Sequence, residues 1–126
     1  MTLVTPGADN HAGLESLDSR YVDVESLPWQ QTRFPGIESK VLVEDKDTGL
    51  QTVLVRMAPG SVLTDHEHVQ LEQTYVIEGR LDDDQGSATA GNFVWRPAGS
   101  RHTAHAPEGA LLLGIFLKPN RFFDQE

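Results

Sequence analysis

The sequence consists of short stretches rich in β-branched and aromatic residues, each followed by Gly, Pro or Asp. These stretches are 21–24, 40–43, 50–57, 61–63, 74–77, 87–90, 93–95, 103–105 and 110–117. Turn-forming residues separate them, as in Asp47–Gly49, Pro59–Gly60 and Pro97–Gly99. Strands at intervals of roughly 8–12 residues, without helical segments between them, are typical of a β-sandwich or a closed β-barrel. We therefore predict an all-β chain of antiparallel strands.

Size and charge exclude several classes of protein. The chain has 126 residues, enough for one domain, and 10 basic against 19 acidic side chains give a net charge of −9. Such a surface repels phosphate backbones and anionic lipid headgroups, so we expect neither nucleic acid nor membrane as a partner. The absence of cysteine excludes disulfides, zinc ribbons, iron–sulfur clusters and thiol nucleophiles. The longest apolar run, 110–117, is too short to cross a bilayer and the N-terminus does not resemble a signal peptide, so a cytoplasmic location is expected.

The chain divides into an arm, a domain and a tail. Residues 1–20 are predicted to form an N-terminal arm, because Pro6, Gly7 and Gly13 lie among polar residues. The β-barrel is predicted over 21–118, with 119–126 as a C-terminal tail. Three consecutive aspartates at 82–84 are interpreted as the solvated tip of a loop.

Histidines and one glutamate carry the chemistry. His66 and His68 project to one side of an extended chain, because side chains alternate along a strand. Glu72 joins the same face if the chain stays extended, or faces the histidines from a neighbouring strand if residues 69–71 form a turn. His102 follows the turn at Pro97–Gly99 and can supply a third imidazole. Imidazoles and a carboxylate directed at one point predict a metal site.

The spacing of these residues resembles the two motifs of the cupin superfamily. The motifs read Gly60-x5-His66-x-His68-x3-Glu72-x6-Gly79 and Gly91-x5-Pro97-x-Gly99-x2-His102. The flanking segments 27–29, 35–37, 52–56 and 96–102 are similar to the ChrR-like cupin group, which includes the cupin domain of the anti-sigma factor ChrR and acetylacetone dioxygenase-type proteins. The resemblance covers about residues 20–118. It implies a small jelly-roll barrel with one divalent metal ion per chain, bound by His66, His68, Glu72 and His102.

Two positions need separate interpretation. The second motif of the family usually ends in Asn, where this chain has Ala106. That Asn is not a ligand, so metal binding is unaffected, but a local hydrogen bond must be made differently. His105 is interpreted as a residue behind the ligands or on the surface rather than a fifth ligand.

Residues on the strands that carry or adjoin the ligands are candidates for a substrate pocket. Tyr75, Phe93 and Trp95 could line it, although ordinary core packing explains aromatic residues equally well. Arg56 and Arg96 could bind an acidic substrate, but in a chain of this charge each is more often a surface ion-pair partner.

The metal decides what such a site can do. Fe(II), Zn(II), Mn(II), Ni(II) and Co(II) all suit a mixed imidazole and carboxylate set, with iron and zinc favoured. Four protein ligands close a tetrahedron on zinc, whereas on octahedral Fe(II) they leave two positions for a substrate oxygen and dioxygen. The resemblance thus implies an oxidoreductase, a mononuclear Fe(II) dioxygenase acting on a small oxygenated molecule such as a β-diketone or hydroxy-ketone.

Other functions and partners remain open. A zinc-binding sensor or a module that binds a small ligand without turnover would use the same residues, as would a metal-dependent isomerase or decarboxylase. The small proteins of this family are commonly homodimers, and the arm could cover the exposed sheet edge of a partner.

Overall fold

The computed structural model describes residues 2–125. Within that range it contains eleven β-strands, two short 3-10 helices and no α-helix. The strands are β1 (Leu3–Val4), β2 (Gln30–Gln31), β3 (Ile37–Asp45), β4 (Leu50–Met57), β5 (Ser61–Glu67), β6 (Glu72–Asp82), β7 (Ser87–Thr89), β8 (Phe93–Arg96), β9 (Arg101–Ala106), β10 (Ala110–Phe116) and β11 (Arg121–Phe122). The 3-10 helices are Val24–Ser26 and Phe123–Gln125.

Every strand pair is antiparallel, and the strands form a curled sheet. The hydrogen-bonded order is β1-β3-β4-β10-β6-β9-β5-β11, with β2 also on β3, and β7 and β8 also on β6. β6 belongs to both halves of the curl: its first residues pair with β8 and β10, and its last with β7 and β9. This architecture confirms the predicted all-β antiparallel fold.

Gly79 shows why a strand can serve both halves. Its φ is +76°, and a Cβ at this position would lie 2.1 Å from the carbonyl oxygen of Gly109. Only glycine permits both this backbone conformation and so close an approach of two backbone segments of the chain. The last glycine of the first motif is therefore explained by backbone packing.

The predicted strands between 40 and 117 are all present, most of them longer than predicted, but the strand predicted at 21–24 is wrong. Residues 21–23 lie in no strand, and the 3-10 helix Val24–Ser26 follows them. The strands β1, β2 and β11 were not predicted, because two residues are too few to show an alternating pattern.

The core lies inside the curl. Its buried members are Phe34, Ile37, Met57, Val76, Leu81, Ala88, Ala104, Ala106, Ala110 and Leu112. Ala106, which replaces the usual Asn of the family motif, is fully buried, and its carbonyl oxygen accepts the N–H groups of Gly60 and Gly109 at 2.8 and 3.1 Å. The local hydrogen bonds at this position are thus made by the backbone.

The first residues of the arm pair with the chain's own sheet. β1 extends along β3, and the hydroxyl of Thr5 donates to the carbonyl oxygen of Leu42 at 2.6 Å. The arm thus covers part of an edge of its own β3, whereas the sequence analysis named the sheet edge of a partner as one that it could cover. Among the residues described, no helix is long and apolar enough to span a membrane.

Candidate metal centre

His66 lies near the end of β5, after an irregularity in the strand. The pairing of β5 with β9 shifts register between Leu63 and His66, and a bulge of this kind re-aims the side chains beside it. The Nδ1–H of His66 donates to the carbonyl oxygen of Thr64 at 2.7 Å. Because a carbonyl oxygen only accepts hydrogen bonds, the proton of the neutral ring is on Nδ1 and the lone pair of Nε2 is available to a metal.

His68 is held by the turn that precedes β9. Its backbone N–H donates to Ser100 O at 2.8 Å, and its carbonyl oxygen accepts from the N–H of Gly99 at 2.7 Å. Its Nδ1–H donates to the carbonyl and hydroxyl oxygens of Ser100, at 3.0 and 2.9 Å. Gly99 has a φ of +89°, which glycine adopts readily. Hydrogen bonds therefore join the segments of the two motifs at this point, and the Nε2 of His68 faces the site.

His102 lies directly opposite His66 in the β5–β9 ladder. The centroids of the two rings are 4.6 Å apart. The Nδ1–H of His102 donates to Oδ2 of Asp83 at 3.0 Å, so its Nε2 also faces the site. Asp83 belongs to the loop between β6 and β7 and is 19 positions away in the sequence.

Glu72 faces the histidines from a separate strand. The chain bends at residues 69–70, and β6 begins at Glu72. Of the two arrangements that the sequence left open, the structure shows the one with a turn. Oε2 of Glu72 lies 2.5 Å from Nε2 of His68.

These four side chains bring one donor atom each into a small space. The donor atoms of His66, His68, Glu72 and His102 all lie within 4.8 Å of one another. Nε2 of His68 is buried without a hydrogen-bond partner among the described residues, because with the proton on Nδ1 neither this nitrogen nor the nearby Glu72 oxygen has a hydrogen to donate. A ring lone pair and a carboxylate oxygen this close repel each other, and a cation shared by both removes that repulsion. The four residues could therefore hold one metal ion, and the donor set fits a first-row divalent metal.

Burial keeps two of the rings uncharged. Desolvation is the main reason that the pKa of His102 falls to about 4, with the positive charge of Arg96 as the next contribution, in spite of the bond to Asp83. Desolvation also lowers the pKa of His66. Neutral imidazole is the form that binds metals, so these rings are ready to bind at neutral pH.

Asp83 is a part of the site that sequence analysis missed. The interpretation of residues 82–84 as a solvated tip is wrong for this residue, whose side chain is 4% exposed. Its Oδ1 accepts the backbone N–H groups of Gln85 and Gly86 at 2.8 and 2.9 Å. Burial by itself would raise the pKa of Asp83, but the hydrogen bonds from Gln85 and His102, with the charge of Arg96, lower it to about 2. Three identical neighbours in the sequence contain no signal of which one is buried.

Arg96 is the candidate arginine that reaches the site. Its guanidinium is bonded to Asp83, and its side chain is 15% exposed. Arg96 is paired with Glu72 in the β6–β8 ladder, so both side chains are on the inner face. Once β6 and β8 are known to pair, the register places this cation beside a ligand.

A small cavity of about 40 Å³ adjoins the donor atoms. Arg96 and Thr74 contribute polar groups to its wall, and apolar side chains such as Leu63, Leu112 and Phe116 contribute much of the remainder. A space of this size holds an ion and one or two waters. An organic substrate therefore requires side chains of the wall to move.

The three aromatic pocket candidates lie outside this cavity. Tyr75, Phe93 and Trp95 are 45%, 50% and 59% exposed. The register pairs Tyr75 with Phe93 and Gln73 with Trp95. Each of these residues is an odd number of positions from Glu72 or Arg96 on the same strand. Because side chains alternate between the faces of a strand, these three project outward, away from this cavity.

Arg56 and His105 are also away from the donor atoms. Arg56 is exposed, forms an ion pair with Glu38 at 2.9 Å and lies over the ring of Trp29 at 4.1 Å. His105 is three positions beyond His102 on β9, which places it on the opposite face of that strand. No described hydrogen bond joins either residue to the four candidate ligands, and the outer face of β9 is compatible with the surface position that the sequence analysis allowed for His105.

Comparison with protein families identifies one match. The family model described as ChrR Cupin-like domain matches residues 18–120. Comparison with curated proteins finds no significant match.

Solved structures share the fold at low sequence identity. A candidate acetylacetone dioxygenase from Methylibium petroleiphilum PM1 is 23% identical with a TM-score of 0.77, over 86% of this chain and 83% of that chain. An acetylacetone dioxygenase from Acinetobacter johnsonii is 19% identical with a TM-score of 0.74, over 86% and 80%. In the complex of Rhodobacter sphaeroides SigE with the anti-sigma ChrR, the match is 22% identical with a TM-score of 0.64, over 74% of this chain and 51% of that chain.

Proposed function

This chain belongs to the ChrR cupin-like domain family, and we propose that it is a mononuclear Fe(II) dioxygenase for a small oxygenated molecule of the β-diketone or hydroxy-ketone class. His66, His68, Glu72 and His102 are the proposed ligands. The observation that carries the proposal is the common orientation of the three rings. Each Nδ1–H is bonded to an oxygen acceptor, which leaves each Nε2 to the site.

Each group around the proposed ion has a defined task. Bound Fe(II) would supply the redox chemistry and the free positions that substrate and dioxygen need. The apolar wall, including Leu112 and Phe116, excludes bulk water from the site. Arg96 places a positive charge at the wall, where it can orient a negatively charged substrate oxygen. Two similar folds bear the name acetylacetone dioxygenase or a candidate for it, which supports the substrate class.

A metal-binding sensor is the second candidate function. The cavity of about 40 Å³ favours it, because no β-diketone fits without rearrangement. Four protein ligands can also close a tetrahedral zinc site, which leaves no position for a substrate. The similarity to the complex that contains the anti-sigma ChrR is consistent with this candidate.

Oxygen uptake distinguishes the candidates. The protein is purified without oxygen, its metal is identified by elemental analysis, and the metal-free protein is reconstituted with Fe(II) or Zn(II). We expect the Fe(II) form to consume oxygen with a β-diketone or hydroxyaryl ketone, and the Zn(II) form to consume none. Zinc as the native metal with no uptake by either form favours the sensor. Conversion of substrate without oxygen uptake indicates an isomerase or decarboxylase.

A second copy of the chain is the proposed partner. Tyr75, Phe93 and Trp95 form an exposed uncharged patch on β6 and β8, in a chain whose net charge is −9. Like chains of this charge approach each other most easily through an uncharged face. Light scattering after size exclusion should give twice the 13.9 kDa of the chain for the wild type and a monomer for Trp95→Glu. A monomeric wild type, or a dimeric Trp95→Glu, contradicts this proposal.

A further inference from the structure

The three imidazoles of the metal centre are held in two different ways. The Nδ1–H groups of His66 and His68 donate to backbone carbonyl oxygens, and that of His68 also to a hydroxyl. The Nδ1–H of His102 donates to the carboxylate of Asp83. A carboxylate is a stronger acceptor than a neutral carbonyl, because it carries a full negative charge. His102 thus has a different electronic environment from the other two rings.

The carboxylate of Asp83 is fixed on both of its oxygens. Oδ1 accepts the backbone N–H groups of Gln85 and Gly86 at 2.8 and 2.9 Å. Oδ2 accepts the guanidinium of Arg96 and the ring N–H of His102. Four donors on a side chain that is 4% exposed leave it little freedom to rotate. The carboxylate therefore sets the position of the ring, rather than following it.

We propose that Asp83 is a positioning residue of the metal centre, which holds His102 in the Nδ1–H tautomer and strengthens its Nε2 as a ligand. This inference rests on the proposed function, because it assumes that His102 binds the metal. A carboxylate behind a metal-bound imidazole fixes the tautomer and raises the basicity of the ring. Loss of such a partner lowers metal affinity by about 10- to 100-fold.

Asp84 provides a matched control for Asp83. It is the next residue in the same loop and is exposed, so Asp84→Asn removes the same charge without touching His102. Affinity for Co(II) is measured by competition with a chromophoric chelator for the wild type, Asp83→Asn and Asp84→Asn. We expect about 10- to 100-fold weaker binding for Asp83→Asn and unchanged binding for Asp84→Asn. Circular dichroism of the metal-free proteins checks that each variant is folded.

The tautomer of His102 is measured on the metal-free protein, so this test does not depend on metal binding. Nitrogen-15 NMR of the metal-free wild type should show the proton of His102 on Nδ1, as for His66. In Asp83→Ala we expect His102 to lose this preference and His66 to keep it, because His66 is held by a backbone carbonyl. A role of Asp83 in folding alone would not change one ring selectively.

Two results overturn the proposal while leaving the proposed function intact. One is a wild type that binds Co(II) while Asp83→Asn binds it as tightly as Asp84→Asn does. The other is a metal-free wild type in which His102 carries its proton on Nε2. Failure of the proposed function looks different: the wild type then binds no Co(II), whatever the NMR spectrum shows.

Discussion

The two faces of β6 and β8 differ sharply, although consecutive residues of the same two strands alternate between them. On the inner face, Glu72 and Arg96 are paired and lie beside the three imidazoles. On the outer face, Tyr75, Phe93 and Trp95 are exposed. A residue that is close in sequence to a candidate ligand is thus not necessarily close to the candidate metal centre. The phase of the alternation decides it, because a shift of one residue moves a side chain to the other face.

The largest expected difference between the faces is in metal binding. Replacing His102 with Ala removes a proposed ligand, and we expect a loss of metal affinity of about 100-fold or more and a lower Tm of the loaded protein. The same result is expected for His66→Ala. Elemental analysis after dialysis and a thermal melt measure the two effects.

His105→Ala is the matched control, since His105 lies on the same strand as His102 but on its other face. It should retain one metal ion per chain. If His66→Ala and His102→Ala both retain one as well, the assignment of the ligands is wrong.

A smaller difference is expected between two arginines. Arg96→Met leaves the carboxylate of Asp83, which is 4% exposed, without its cation. Loss of one partner from a buried ion pair typically costs about 3 kcal/mol of unfolding free energy. Arg56→Met removes the exposed ion pair with Glu38, which joins β4 to β3 and whose side chains are 48% and 35% exposed. This variant should lose less than about 1 kcal/mol of unfolding free energy. Urea denaturation of the metal-free proteins measures both, and equal losses would refute the distinction between the faces.

The pH dependence of stability tests the inner face in another way. The pKa of His102 is lowered from 6.5 to about 4 in the folded protein, mainly by desolvation. Between these values the unfolded chain binds a proton that the folded protein excludes. The stability present above pH 6.5 is therefore lost as the pH falls toward 4.

Urea midpoints of the metal-free protein across this range should therefore decrease with falling pH, and the decrease should be smaller in His102→Gln. His105→Gln, which removes a histidine from the other face of β9, serves as the comparison. An unchanged slope in His102→Gln would show that this ring is charged in the folded protein.

The smallest effect is expected on the outer face. Phe93→Ser changes a side chain that is 50% exposed and points away from the donor atoms, so we expect metal affinity within about twofold of the wild type, since surface substitutions usually change free energies by no more than about 0.5 kcal/mol. Chelator competition measures this affinity. A large loss of metal affinity in this variant would show that the outer face is coupled to the centre.

Part of this arrangement could be predicted from the sequence, because it depends on local spacing. The alternation of short apolar runs with turn residues predicted the all-β fold. His66-x-His68, Glu72 and His102 were singled out from their spacing and from the family motif, and the structure brings all four together. The outward direction of Tyr75 could have been deduced as well, since it is three positions from Glu72 on one strand.

Most of the strands, and the residues that can meet around a metal, were therefore predictable from the sequence, because period-two alternation and turn chemistry act over a few neighbours. The residues that support these candidate ligands from behind depend on contacts between distant parts of the chain. Asp83 reaches Arg96 across 13 positions and His102 across 19, and no local pattern encodes how a loop folds back onto a distant strand. Of the three consecutive aspartates, Asp83 accepts hydrogen bonds from four donors, and one of these donors is His102.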